Sequence, residues 1–233
     1  FSIEEDLIVK GSCIDDGKSV EKLIYRGHSF YFKKKKVDLR YVEERWGIDF
    51  IIQKVLKQHP MMAAPHKYSV NTFRMVTLRW NNKINYLMTY ARFGANQEVK
   101  DNGGEGGIVI SVSPDGKFSD FGMDHSGNIY KSHPTTGFKF KDFKQVPNFN
   151  EYIDFVKKLH NRILHHNYVS WDIAMGIDGN PIFIEMNFRG PVWKYQLVTQ
   201  RPIFGEFTEE ILERAVEARQ EREKNNKNQI RRS

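Results

Sequence analysis

A single cysteine, Cys13, in 233 residues rules out an intramolecular disulfide framework and fits a reducing compartment, so the cytoplasm is the expected location. No apolar run reaches the roughly 18 residues that a membrane-spanning helix needs. The chain opens at Phe1 without Met and without a basic-then-apolar leader. No signal peptide is visible, and the sequence reads as starting partway into a longer protein. Internal repeats and low-complexity linkers are also missing. What is present is enough apolar content, 39%, for a chain of this length to bury a sizeable core, in one large domain or two small ones. A formal charge of +7 and a pI near 9.3 favour an anionic partner: a nucleotide, a nucleic acid or an acidic membrane surface. The densest basic cluster, Lys33 to Lys36, reads as a solvated edge or loop. No aromatic–basic motif of the kind RNA readers use accompanies it, so no nucleic-acid partner is expected.

The hydrophobic pattern gives an α+β protein in two unequal lobes. In the first, residues 1–60, Leu7 to Val9 form a short strand ending in Lys10, Val20 to Tyr25 a second, and "YFKKKKVDL" a strand and turn. Residues 38–47 have helical character. "DFIIQKVL" is a further β-rich run, closed by His59-Pro60. The larger lobe, residues 61–213, is richer in strands. "TFRMVTLRW" and "KINYLMTYARF" flank Asn81-Asn82 as a hairpin, and Pro-Asp-Gly and Ser-Gly turns separate more strands beyond residue 107. Residues 148–167 form the clearest helix, with Asn148 or Asn150 as cap and Ile153, Val156, Leu159, Ile163 and Leu164 as its apolar stripe. The remainder, 214–233, is a polar C-terminal helix and tail.

One stretch raises a chemical question. "WDIAMGIDGNPIFIEMN", residues 171–187, reads as two apolar strands around Asp178-Gly179, each carrying a carboxylate. A two-residue turn there sets Asp172 directly opposite Glu185, with Asn187 on the same face and strands covered on both sides. Two facing carboxylates repel, and burying them unpaired costs several kcal/mol or more. A hard divalent cation would remove that penalty, because Asp, Glu and Asn provide the oxygen ligands Mg²⁺ prefers. Alternatively the hairpin lies at an edge, and the carboxylates face water or pair with a nearby arginine.

Other residues suit anionic phosphate. Lys10 ends a buried strand, and the loop after it carries Ser12, Gly17 and Lys18, a point charge followed by exposed backbone N–H groups. It is not a P-loop: five residues, not four, separate Gly11 from Gly17, and a strand follows. Arg74 and Arg92 sit in apolar strands and call for an anionic partner. "DNGGEGG", with Asn102, permits a backbone to approach a ligand closely. His133 reads as a packing or turn histidine, and His165-His166 as a contact to a helix C-terminus.

Taken in order, these elements resemble the ATP-grasp superfamily, specifically the sugar-transfer-associated ATP-grasp proteins of bacterial polysaccharide gene clusters, over about residues 5–213. The resemblance implies an ATP-grasp fold, two α+β lobes with nucleotide between them. It assigns Lys10 and the loop with Ser12, Gly17 and Lys18 to the nucleotide phosphates. Gln53 and the backbone of Lys54 to Leu56 would hold adenine. Arg74, Arg92 and Asn102 become phosphate-side catalytic residues, and Asp172, Glu185 and Asn187 the Mg²⁺ ligands. The implied activity is an ATP-dependent ligase joining a small-molecule or glycan carboxylate to an amine acceptor, with ATP and Mg²⁺ as cofactors. By family context the acceptor is a uronic acid or amino sugar on a glycan, or an amino acid. The sequence departs from the family at Gly11, where many relatives have Pro, and in a covering loop with few glycines. A second reading is a degenerate ATP-grasp module that binds nucleotide or glycan without ligation. A third is a basic nucleic-acid binder using Lys33 to Lys36 and the Arg-rich tail.

Overall fold

The turn residues of the sequence delimit short antiparallel strands in a computed structural model, which describes residues 4–12, 20–95, 107–188 and 192–230. Strands β1 (Leu7–Gly11), β2 (Glu21–Arg26), β3 (Ser29–Phe32) and β4 (Lys35–Val37), helix α1 (Leu39–Trp46) and strand β5 (Phe50–Lys54) come first. They form a five-stranded antiparallel sheet in the order β4-β3-β2-β1-β5. Asp38 caps α1 by accepting from Tyr41 N at 3.0 Å, which satisfies one of the orphan donors of the first turn. Val42 and Trp46 of the helix pack with Leu7, Val9, Leu23 and Val37 of the sheet. The lysine run straddles a hairpin: Lys33 and Lys34 make the turn, Lys35 and Lys36 belong to β4, and all four are exposed.

The chain then crosses to a second sheet. Gln58 bridges to Gly176, and His59 N donates to Met175 O at 2.9 Å. His59-Pro60 opens a turn of helix, α2 (Pro60–Ala63), rather than only closing a strand, because proline at the first helical position gives up no needed donor. Strands β6 (Thr72–Trp80), β7 (Lys83–Phe93), β8 (Ile108–Val112), β9 (Gly122–Met123) and β10 (Ile129–Tyr130) follow. Helix α3 (Phe149–His160), strands β11 (Tyr168–Met175) and β12 (Pro181–Asn187), helix α4 (Val192–Thr199) and helix α5 (Thr208–Ile230) complete the order. The seven strands form an antiparallel sheet, β10-β9-β8-β7-β6-β11-β12. Asn81 and Asn82 make the β6–β7 turn with φ of 49° and 58°, a conformation asparagine tolerates better than most residues.

Alternation along β6, β7 and β11 divides the large sheet into two faces. Phe73, Met75, Ala91, Phe93, Trp171 and Ile173 face α3, which contributes Phe149, Tyr152 and Val156. Val76, Met88, Tyr90 and Val109 face α4, which contributes Tyr195 and Val198. Helix α3 is shorter than the expected 148–167. Arg79 Nη2 binds the carbonyls of His160 and Ile163 at 2.9 and 3.0 Å, and buried His160 bonds Thr77 Oγ1 at 2.7 Å, so the chain turns away there. Leu164 is consequently outside the stripe and 70% exposed. His165 and His166 do not sit at a helix end, and His166 instead stacks on Phe188 with ring centroids 3.8 Å apart. Asn148 precedes α3 but makes no side-chain capping bond.

Candidate active site

Strands β11 and β12 place the two carboxylates opposite one another, by a route unlike the expected one. Asp172 pairs with Glu185 and Ser170 with Asn187, but Ile173 pairs with Phe183. The turn has three residues, Ile177 to Gly179, closed by Gly176 N to Asn180 O at 2.9 Å, with Gly179 at φ 84°. The longer turn shifts the pairing by one residue, and a β-bulge at Ile184 shifts it back. The expectation that both strands are covered is wrong for β12. It is the edge of the sheet, and Ile182, Phe183, Glu185 and Met186 are exposed, whereas β11 is buried from Val169 to Met175.

Asp172 is 2% exposed and carries the site's strongest interactions. Arg74 Nη2 donates to Oδ2 at 2.7 Å, Arg74 Nε donates to Oδ1, and Arg92 Nη1 donates to Oδ2 at 2.8 Å. Burial opposes the Asp172 charge, but Arg92 and then Arg74 outweigh it and hold the carboxyl below its ordinary range. The positive charges beside Asp172 are therefore two guanidiniums that the sheet brings from β6 and β7. Glu185 behaves oppositely. Desolvation first, then the hydrogen bond and charge of Asp172, raise its affinity for a proton. Asn187 Nδ2 lies 3.4 Å from Glu185 Oε1.

Helix α4 supplies residues that the sequence reading passed over. Tyr195 is fully buried, with its hydroxyl 3.1 Å from Ser170 Oγ and 3.5 Å from Arg74 Nη1. Its ring lies 5.4 Å from that of Tyr90, and burial pushes the Tyr90 phenol well above its ordinary range. Lys194 is buried beside it, with Nζ 3.1 Å from His125 Nδ1. The isolated polar pair in an apolar setting, "VWKYQLV", was the available signal. His133 is the packing histidine expected: it is buried, Nε2 meets Gly94 O at 2.7 Å, and burial lowers its pKa.

On the small sheet, Lys10 lies opposite Ile51, and Gln53 lies opposite Ile8. By strand alternation Lys10 and Gln53 share the face turned away from α1. Lys54 pairs with Leu7 and holds Glu5 at 2.5 Å, while the backbone N–H of Val55 donates to Asp6 O at 3.3 Å. Leu56 is half-buried. Ser12 N and Oγ each reach Asp49 O at 3.1 Å. Gly17, Lys18, Cys13 and Asn102 lie outside the described residues.

The large-sheet site has the donor chemistry of a hard cation: the Glu185 carboxylate, the Asn187 amide and Asp172 behind them, all oxygens. No group of three His, Cys, Asp or Glu side chains comes together among the described residues, so two carboxylates and an amide are what the site offers.

The sugar-transfer associated ATP-grasp family model matches residues 31–211, more than three quarters of the chain, and the protein belongs to that family. The matched span contains Gln53, Arg74, Arg92, Asp172, Glu185 and Asn187, and begins after Lys10 and Ser12. No curated protein matches the chain. Among the described residues no helix is long and apolar enough to cross a membrane.

Proposed function

We propose that the protein is an ATP-dependent carboxylate–amine ligase acting in bacterial cell-surface polysaccharide biosynthesis. The observation that carries this reading is the row of Arg92, Asp172 and Arg74 beside Glu185 and Asn187 on one sheet face of an ATP-grasp chain. On this reading residues 1–60 and 61–213 are the two lobes, with nucleotide between them, and 214–233 is an appendage. Lys10 meets the phosphates, with Ser12, Gly17 and Lys18 in the covering loop. Gln53 and the backbone of Lys54 to Leu56 take adenine.

The chemistry asks for positioning and charge neutralisation more than for covalent participation. A carboxylate oxygen of the substrate attacks the γ-phosphorus of ATP, the bond to the β,γ-bridging oxygen breaks, and ADP leaves with its electron pair. An amine then attacks the acyl carbon, phosphate departs, and the nitrogen gives up a proton, leaving an amide. Bound Mg²⁺ would supply charge neutralisation to the phosphates, held by Glu185 and Asn187 with Asp172 behind them. Arg92, with Arg74, faces the acyl phosphate, and Asn102 joins them on the phosphate side. Asp172 aims both guanidiniums, because its two oxygens fix their planes before substrate arrives.

That same pairing favours a second reading, a nucleotide- or glycan-binding module without ligation, since both arginines already have a carboxylate. A thermal-shift titration with AMP-PNP, with and without Mg²⁺, on wild type and Glu185→Gln tests the site. Saturating ligand adds about 2.7 kcal/mol at a hundredfold excess over Kd. A Mg²⁺-dependent shift lost in the variant is expected; no shift in wild type contradicts the nucleotide site. Nucleotide binding without ADP release for any carboxylate and amine pair would favour the second reading.

A further inference from the structure

The small sheet carries its own concentration of charge, at the opposite edge from β5 and the crossing to the large sheet. Strand β4 is three strands from β1, about 14 Å away, so the β3–β4 hairpin stands apart from Lys10. Lys33 and Lys34 form its turn, Lys35 and Lys36 belong to β4, and all four are exposed. Other cations around this sheet have carboxylates. Lys22 holds Asp6 at 2.8 Å, Arg40 holds Glu44 at 3.0 Å, Lys54 holds Glu5 at 2.5 Å, and Arg45 pairs with Glu21. Among the described residues no carboxylate pairs with Lys33, Lys34, Lys35 or Lys36.

The contacts that these lysines do make leave their charge intact. Lys33 Nζ lies 5.3 Å from the centroid of the Phe32 ring, and Lys35 Nζ lies 5.2 Å from that of Tyr41. An open groove of about 450 Å³ runs between β4 and α1, lined by Lys35, Lys36, Arg40 and Tyr41. Both carboxylates that line it are engaged: Asp38 accepts from Tyr41 N at 3.0 Å as the cap of α1, and Glu44 takes Arg40. From Lys33 to Arg45 the chain carries six cations against Asp38, Glu43 and Glu44, and Glu21 of β2 reaches Arg45. The surplus therefore sits on the lysine run.

Its surroundings select among polyanions. A nucleic-acid base stacks on an open aromatic face. Here Lys33 and Arg45 already lie over Phe32, the latter 5.4 Å from its centroid, and Lys35 lies over Tyr41. Leu39, the first residue of α1, follows the run and is 49% exposed. Lysines beside an exposed leucine suit a layer of phosphates over hydrocarbon. Lysine on an edge strand also deters pairing with another strand, but that role asks only for Lys35 and Lys36, because Lys33 and Lys34 lie in the turn.

We propose that the β3–β4 hairpin and the adjoining groove dock on an anionic lipid bilayer, with phosphodiester headgroups on Lys33 to Lys36 and Leu39 entering the headgroup layer. The proposal is independent of the ligase reading.

Flotation of the full chain with phosphatidylcholine vesicles, with and without about 30% phosphatidylglycerol, tests it. Wild type is compared with a variant that combines Lys33→Gln, Lys34→Gln, Lys35→Gln and Lys36→Gln, and with Arg231→Gln/Arg232→Gln, which removes the basic end of the tail. All four lysines are exposed, and an unchanged Tm would confirm that the first variant folds. Wild type is expected to bind the anionic vesicles at least about tenfold more tightly than the neutral ones. The lysine variant should lose that preference and the tail variant should keep it. Raising NaCl from about 0.1 M to about 0.5 M should release wild type, a result that needs no variant. Equal binding to both vesicles, anionic-vesicle binding that survives the lysine variant or high salt, or polyuridylate RNA bound more tightly than the vesicles overturns the proposal.

Discussion

The two strands of the β11–β12 hairpin carry carboxylates face to face, and their surroundings drive them in opposite directions. Asp172, on the buried strand, is gripped by Arg74 and Arg92 and held ionised. Glu185, on the exposed edge strand, forms no ion pair among the described residues, and desolvation and Asp172 outweigh the charge of Arg74, so that it holds a proton more tightly than usual. The difference teaches that facing carboxylates need not share a role. Asp172 organises the guanidiniums of the site, and Glu185 is left at the exposed edge. Environments that push a pair's proton affinities apart are a common way to separate such roles.

The sharpest way to break the comparison is Asp172→Asn. It leaves two nearly buried guanidiniums without their counter-charge, which should cost about 3 kcal/mol or more. Thermal denaturation should show Tm lower by on the order of 10 °C. The pH dependence follows from the depressed folded pKa: stability from this pair is present above about pH 3.8 and is lost as pH falls through the folded value. The variant should lack that part of the acid limb in a pH series of melts. A smaller effect is expected for Tyr195→Phe, which removes the hydroxyl between Ser170 and Arg74 at a cost of about 1 kcal/mol, read by urea denaturation.

The smallest effect sharpens the contrast. Glu185 has a raised folded pKa, so its contribution is present below about pH 4.5 and is lost as pH rises through the folded value. Glu185→Gln should therefore be as stable as wild type in acid and slightly more stable at neutral pH without metal. Solvent screening of this exposed residue keeps the gain under about 1 kcal/mol. A large loss of stability on this substitution would mean that Glu185 is structural, like Asp172.

How much of this was legible in the sequence varied with the physics involved. The Asn81-Asn82 turn was legible because few residues accept its backbone conformation. The Asp172–Glu185 pairing was reached through a wrong turn length, offset by a bulge at Ile184 that no local pattern announces. Strand composition gave the apolar character of β12 but not its place at the sheet edge, which depends on strand order. The end of α3 is set by Arg79 from a strand far away in sequence, which periodicity cannot register. Arg74 and Arg92 were recognised as needing an anion, and the sheet supplies Asp172, the residue the family resemblance assigns to Mg²⁺. Lys194 and Tyr195 were missed because a short helix of mostly apolar residues gives little periodic signal until the sheet it covers is known.

A crystal structure with AMP-PNP and Mg²⁺ is the most direct test of the account. The expected result places Mg²⁺ about 2.1 Å from oxygens of Glu185 and Asn187, with the triphosphate on the Arg92 side and Asp172 still bound to Arg74. Nucleotide bound away from the α4 face of the large sheet, or Mg²⁺ held without Glu185, would contradict it.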